Sequence, residues 1–338
     1  MTVSLAILVL VAVIFDFLNG FHDSSNIVAT MISSRAFTGR QALAITTVCE
    51  VTGPFLFGVA VATTIGSELV QGGVMTQGGV FMPVIIAALC GAITWNLLTW
   101  WLGIPSSSSH ALVGGLVGAV AIEFGIGAIA WGGMRKILIA LFLSPILGMV
   151  AGFVIQRSLL HLMVWMHATP KANWFFRNAQ LGTAVALALA HGTNDAQKTM
   201  GILTMGLVAT GVIPSFHVPL WVMVVSALAI GAGTATGGWR LIKTLGYGFY
   251  KIWPIHAFTA QAASGAVILG AAVLGGPVST TQVMSSAIVG VGASENFRKV
   301  RWQVAGNIVL AWVLTIPASA GMAAGLYALY KWISGMVA

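Results

Sequence analysis

The chain has 338 residues, 58% of them hydrophobic and only 7% charged. A soluble domain carries about 25% charged residues, so composition excludes a soluble globular enzyme and points to an integral membrane protein. The formal charge of +8 does not signal nucleic-acid binding, because most of the cations sit in short loops between apolar runs, where they set membrane orientation.

A helical crossing needs about 20 mostly apolar residues. Taken in order, the apolar runs predict spans near 3–32, 41–65, 79–102, 106–130 and 134–156, then 178–210, 218–237, 255–275, 278–293 and 302–330. The first run has no basic stretch before it and is interrupted by Asp16, so it reads as a retained segment and not a cleaved signal. The first and sixth runs are too long for one straight crossing. Each holds glycine, an acid and amides, which predicts a helix broken at depth. The fourth and ninth begin with proline and hydroxyl residues and are either full crossings or bent segments. Cys49 and Cys90 lie in apolar runs without metal-ligand spacing and read as packing residues.

With the N-terminus outside and ten crossings, eleven cations fall inside: Arg35, Arg40, Arg157, Lys171, Arg177, Arg240, Lys243, Lys251, Arg298, Lys299 and Arg301. Three fall outside, Arg135, Lys136 and Lys331. This positive-inside bias favours five crossings per half. It places both termini outside a plasma (inner) membrane.

Two polar motifs recur at a fixed spacing. Asn19-Gly20-Phe21-His22-Asp23-Ser24-Ser25-Asn26 is matched by His191-Gly192-Thr193-Asn194-Asp195-Ala196-Gln197-Lys198, with Asp23 and Asp195 offset by 172 residues. Pro105-Ser106-Ser107-Ser108-Ser109-His110 is matched by Pro277-Val278-Ser279-Thr280-Thr281-Gln282 at the same offset. Five crossings per half is an odd number, so the halves oppose each other. That is the inverted-repeat plan of secondary transporters, with the site at the repeat interface. The fold expectation is therefore an all-α polytopic protein of about ten segments in two inverted repeats, with broken helices at the polar motifs. The first repeat covers 1–157, a cytoplasmic connecting loop 158–177, and the second repeat 178–338.

Proline suits the first turn of a helix and Ser or Thr its cap. A helix start presents free N–H groups and partial positive charge, so Ser106, Ser107, Ser108, Ser109, Ser279, Thr280 and Thr281 form a donor-rich candidate site for a tetrahedral oxyanion. The bland alternative is that they only cap helices. Asp23, Asp195 and Glu50 are acids inside apolar runs. At a helix centre each costs about 2.5–3.5 kcal/mol to insert, which usually marks an ion or proton path. Asn26 and Asn194 are neutral candidate ligands beside them. Lys198 aligns with Asn26 and either offsets an anion's charge or pairs with Asp195. His22, His191 and His110 read first as hydrogen-bonded core residues. Asp16 lies about two helical turns before Asp23 and either shares its face or sits nearer the surface. Glu123 reads as an outer-end acid, and Glu68 and Glu295 as loop acids. Adjacent Ser109 and His110 do not face each other on a helix. No G-x-S-x-G elbow or H-E-x-x-H motif occurs, so an enzyme is not expected.

These two motif pairs, together with Gly237-Gly238-Trp239-Arg240 and Lys243-Thr244-Leu245-Gly246, resemble the inorganic phosphate transporter (Pit) family over nearly the whole chain. The resemblance implies a secondary symporter that imports inorganic phosphate with protons or sodium. Free phosphate and a metal–phosphate complex are both substrates within that family. The family's functional acids fall on Asp23, Asp195 and Glu50. Three positions depart from its pattern. Ser25 stands where alanine is usual, Gln282 where His is frequent, and Gln261 where animal members carry an acid. Gln261, His110, Gln282 and Lys198 are therefore secondary site candidates. No cofactor is expected, and a coupling sodium ion is the one candidate metal. Partners are phosphate, the coupling cation and the bilayer, with a homodimer left open and nucleic acid excluded. The rival readings are a sulfate permease of the same fold and an anion channel.

Overall fold

The computed structural model describes residues 3–75, 77–167 and 171–337. Residues 168–170 of the predicted connecting loop lie outside this range. Among the described residues there are thirteen α-helices. In the first half they are α1 (Val3–Ser33), α2 (Gly39–Thr52), α3 (Ala60–Glu68), α4 (Gly72–Met75), α5 (Gly78–Leu102), α6 (Ser108–Phe124) and α7 (Trp131–Trp165). In the second half they are α8 (Lys171–Ala209), α9 (Leu220–Thr236), α10 (Trp239–Tyr247), α11 (Pro254–Val273), α12 (Thr280–Glu295) and α13 (Trp302–Val337).

α1, α5, α7, α11 and α13 are each long and apolar enough to cross a membrane, and the two bent pairs α2–α3 and α9–α10 bring the number to seven. α7 and α13 leave Phe142, Ile146, Val150, Leu310 and Val313 exposed. These apolar surfaces suit lipid and not water, and the protein is an integral membrane protein.

The expected breaks at the polar motifs are not there. α1 and α8 run as continuous helices through 19–26 and 191–198. The reason is that most of the motif side chains, though not Asn19, find partners across helices or on their own preceding turn, so the backbone need not unwind. Ser24 and Ser25, for example, donate back to Phe21 O and His22 O at 3.0 and 3.1 Å. The sharp bends fall instead in the second segment of each half, 68° between α2 and α3 and 71° between α9 and α10. Gly53-Pro54 and Gly58 (φ 79°) separate the first pair, Gly237 (φ 72°) and Gly238 the second. Proline removes a donor, and glycine accepts the left-handed backbone. Glu68 and Glu295 close α3 and α12 and do not lie in loops.

α1 and α8 pack antiparallel. Going along α1, Asp16 meets Thr199, Asn26 meets His191, and Ser34 meets Gln180. Packing then recurs with the halves exchanged: α1 on α9 and α8 on α2, α7 on α12 and α13 on α6, α1 on α5 and α8 on α11. The buried apolar side chains form two clusters. One takes Leu5 to Phe15 of α1 and Ala196 to Leu207 of α8. The other takes Ile27 to Met31 of α1 and Ala184 to Ala190 of α8. The polar motifs occupy the slab between the clusters, midway along both helices.

Candidate functional site

Close helix crossing places the motifs. A Cβ on Gly20 would fall against the backbone carbonyl of Ile230 in α9, and one on Gly192 against that of Glu50 in α2. Only glycine lets these backbones approach so closely. The starts of α6 and α12 reach α1 and α8 near these crossings through Ser108, Thr280 and Thr281.

Those two helix starts are built alike. Ser107 accepts from His110 N at 3.1 Å and Ser279 from Gln282 N at 3.3 Å, each an N-cap. The next residue of each helix then reaches the aspartate of its own half. Ser108 Oγ donates to Asp23 Oδ2 at 3.1 Å, and Thr280 Oγ1 donates to Asp195 Oδ2 at 3.0 Å. Thr281 couples the halves, donating to Asp23 Oδ1 at 3.0 Å and accepting from Asn26 Nδ2 at 3.1 Å. Ser109 donates to Val278 O at 3.0 Å, and Gln282 Nε2 lies 3.4 Å from the His110 ring nitrogens. Two helix N-termini therefore abut at one place.

The acids converge there as well. Asp23, Asp195 and His191 each put one ligand atom within 4.8 Å of the other two, and all three are buried. His191 Nδ1 stands 2.8 Å from Glu50 Oε1, and its Nε2 stands 3.4 Å from Asp195 Oδ2. Thr234 donates to Glu50 Oε2. Lys198 pairs with Asp195 across one turn of α8 and is almost fully buried. His22 Nδ1 lies 2.8 Å from Asp23 Oδ1. Asn194 Nδ2 donates to Gly276 O at 3.3 Å, while Asn26 Oδ1 and Asn194 Oδ1 are buried without a hydrogen-bond partner.

Not every candidate joins this cluster. Ser106 Oγ is bound to Thr99 Oγ1 at 2.7 Å. Gln261 sits between Thr30 and Thr183, at 3.0 and 2.7 Å, and touches none of the acids through these bonds. Sequence reading also passed over several contributors. His191 reads as a core residue, yet it lies four residues before Asp195 on one helix face, and that spacing was the available signal. Gln197 accepts from Val61 N and Ala62 N at 2.8 and 3.2 Å, and donates to Gly58 O at 2.8 Å. Ser24 accepts from Gly238 N at 2.9 Å. Each motif thus secures the bend of the opposite half.

Every side chain of the cluster is at most 4% exposed, so the structure holds the site closed from both faces. Two largely apolar surface clefts lie nearby, one of about 300 Å³ among α7, α12 and α13, which Gln282 lines, and one of about 660 Å³ between α7 and α11. Chemically, the cluster offers a pair of helix N-termini and hydroxyls to an anion, and carboxylate and amide oxygens to a cation.

Comparison with known proteins agrees with this chemistry. Residues 19–323 match the model of the phosphate transporter family. A "Probable low-affinity inorganic phosphate transporter" of Bacillus subtilis is 42% identical over 322 residues, covering 95% of either chain. One of the same name from Rhizobium meliloti is 43% identical over 324 residues, covering 95% of this chain and 94% of the relative. A solved structure, "The sodium-dependent phosphate transporter", superimposes with a TM-score of 0.90 at 25% identity, covering 98% of this chain and 100% of that one. These relatives are transporters and not enzymes. With paired motifs, helical fold and family match in agreement over nearly its full length, the chain belongs to the phosphate transporter family.

Proposed function

We propose that the protein is a secondary symporter that imports inorganic phosphate with a coupling cation, through one site built from two inverted repeats. The observation that carries the proposal is the convergence of two helix N-termini on two carboxylates, Ser108 with Asp23 and Thr280 with Asp195. Helix N-termini favour anions, and here they already face the carboxylates of Asp23 and Asp195, whose place at the hydroxyls a phosphate would take. Bringing a phosphate there adds its charge to Asp23, Asp195 and Glu50, against one fixed cation, Lys198. Anion binding is then favourable only when cations or protons arrive with it, and that requirement is the physical basis of coupling.

In this mechanism the hydroxyls of Ser108, Thr280 and Thr281 turn from the aspartates to phosphate oxygens. The free N–H groups of the first turns of α6 and α12 complete the cradle. Asp23, Asp195 and the carbonyl oxygens of Asn26 and Asn194 hold the coupling cation, and His191 ties Glu50 to this set. Two things support opposed repeats: the antiparallel α1 and α8, and packing that recurs with the halves exchanged. Counting α6, α8 and α12 as crossings beside the seven apolar ones gives ten. Inward import also accords with the cation-rich loops placed on the cytoplasmic side, with both termini outside an inner membrane. The structurally similar transporter is named as sodium-dependent, which favours sodium as the coupling ion here.

The test is phosphate uptake into proteoliposomes with sodium and proton gradients imposed separately. Accumulation driven by one of them is expected, and Asp23→Asn and Asp195→Asn each abolish it while leaving folded protein. Uptake at the wild-type rate in either variant refutes the assigned roles. Inhibition by excess sulfate as strong as by unlabelled phosphate refutes the substrate. Anion flux that ignores both gradients would make the protein a channel.

A further inference from the structure

Asp16 is fully buried in α1, outside the cluster described above. Its Oδ1 accepts from Thr199 Oγ1 at 2.7 Å, and its Oδ2 has no hydrogen-bond partner. The buried Ser226 hydroxyl of α9 lies near the same carboxylate, without a hydrogen bond of good geometry. Asn19, one turn along α1, is buried with both amide atoms unpartnered. Three helices thus bring a carboxylate, two hydroxyls and an amide to one region, and leave most of their oxygens unused.

The charge balance makes this more than loose packing. Among the described residues no ion pair reaches Asp16, and Lys198, beside its partner Thr199 in sequence, is paired with Asp195. Asp16 is left without a compensating cation of its own. A buried carboxylate without a partner is relieved either by a proton or by a bound cation, and the unpartnered oxygens around Asp16 suit the cation. An all-oxygen set with one carboxylate suits a hard monovalent cation, whereas divalent sites recruit more carboxylates. Asp16 has no counterpart in the second half, where position 188 is alanine, so the feature is not imposed by the repeat.

We infer that Asp16, Asn19, Thr199 and Ser226 form a sodium site separate from the Asp23–Asp195 pair. Asp16 and Asp23 are seven residues apart, on one stripe of α1 about 10.5 Å from end to end. The site lies toward the N-terminus of α1. Under the proposed orientation, on which both this site's role and the symporter reading rest, that is the outer side, so sodium is taken up there on its way to the central cluster.

The test is binding of radioactive sodium to the purified, detergent-solubilised protein without phosphate, a measurement that needs no transport. Wild type is expected to bind sodium saturably. Asp16→Asn should weaken one component by at least about tenfold, and Ser226→Ala by about threefold. Asp23→Asn should retain the Asp16-dependent component. Ser226→Ala, which removes one oxygen, decides the matter if Asp16→Asn does not fold. Sodium binding unchanged in the folded variants, or no sodium binding by wild type, overturns the site. Loss of the component in Asp16→Asn sustains the site even if the proteoliposomes show no phosphate uptake, so failure of the transport reading is recognised separately.

Discussion

Replacing Gly192 by alanine tests the crossing on which the central cluster depends. The added Cβ would lie 2.6 Å from the Glu50 Cα and 2.9 Å from its carbonyl carbon. Ordinary contact begins at 3.4 Å, so α8 and α2 must separate by at least about 0.8 Å, the difference between 3.4 and 2.6 Å. The obstacle is backbone, which cannot rotate away. Overpacking of this kind costs about 1–3 kcal/mol. The same displacement would lengthen the 2.8 Å approach of His191 to Glu50 and weaken that contact. We expect Gly192→Ala to unfold at lower temperature in detergent and to lose most phosphate uptake. Gly182 serves as the control, since it lies on the same helix with nothing within 4 Å of its Cβ position. Gly182→Ala should be neutral or stabilising by up to about 1 kcal/mol. Equal stability and uptake in the two variants would refute the close-crossing argument.

Three further outcomes follow from the same geometry. Lys198→Met leaves Asp195 without its ion-pair partner and should destabilise the protein by about 3–5 kcal/mol; the double variant with Asp195→Asn should recover most of that in a thermal-unfolding assay without recovering uptake. Ser108→Ala and Thr280→Val each remove a hydroxyl placed on a carboxylate and should raise the half-saturating phosphate concentration at least about tenfold, whereas Ser106→Ala, whose hydroxyl is bound to Thr99, should change it by less than about twofold. Gln197→Leu strips the acceptor from Val61 N and Ala62 N at the start of α3 and should cost about 1–3 kcal/mol, seen as a lower unfolding temperature and faster proteolysis near Gly58.

Much of the site was legible because its parts are local. A proline followed by hydroxyls encodes a capped helix start within a few residues, and the structure has α6 and α12 beginning at Ser108 and Thr280. The common offset of 172 residues signalled that the two halves carry equivalent parts. What was not legible depends on partners distant in sequence. A glycine, an acid and amides within an apolar run suggest a broken helix when read alone. They remain helical here because Thr281, Ser108 and Thr280 supply hydrogen bonds from elsewhere. Conversely, Gly53-Pro54 and Gly237-Gly238 yielded no predicted bend, the spans being drawn as 41–65 and 218–237. Their bends persist because Gln197 and Ser24 of the opposite half satisfy the N–H groups at the breaks. The pairing of Glu50 with His191 joins residues 141 positions apart, and no periodicity records it.

The two copies of the motif match in the contact of hydroxyl with carboxylate and differ in how the carboxylate is balanced. Asp195 has a fixed cation, Lys198, one turn away. Asp23 has hydroxyls and His22, and at the position matching Lys198 it has Asn26, which donates to Thr281 instead. A tethered ammonium cannot leave with the substrate, so Asp195 keeps its compensation in every state of the proposed cycle. Asp23 can be balanced by a mobile ion that enters with phosphate and departs with it. An exchangeable charge on one side and a permanent one on the other would let a nearly symmetric cradle hold a fixed number of coupling ions. In the proposed cycle the substitution of Lys198 for a second asparagine would give one aspartate of the coupling site a permanent partner and leave the other, Asp23, the exchangeable one.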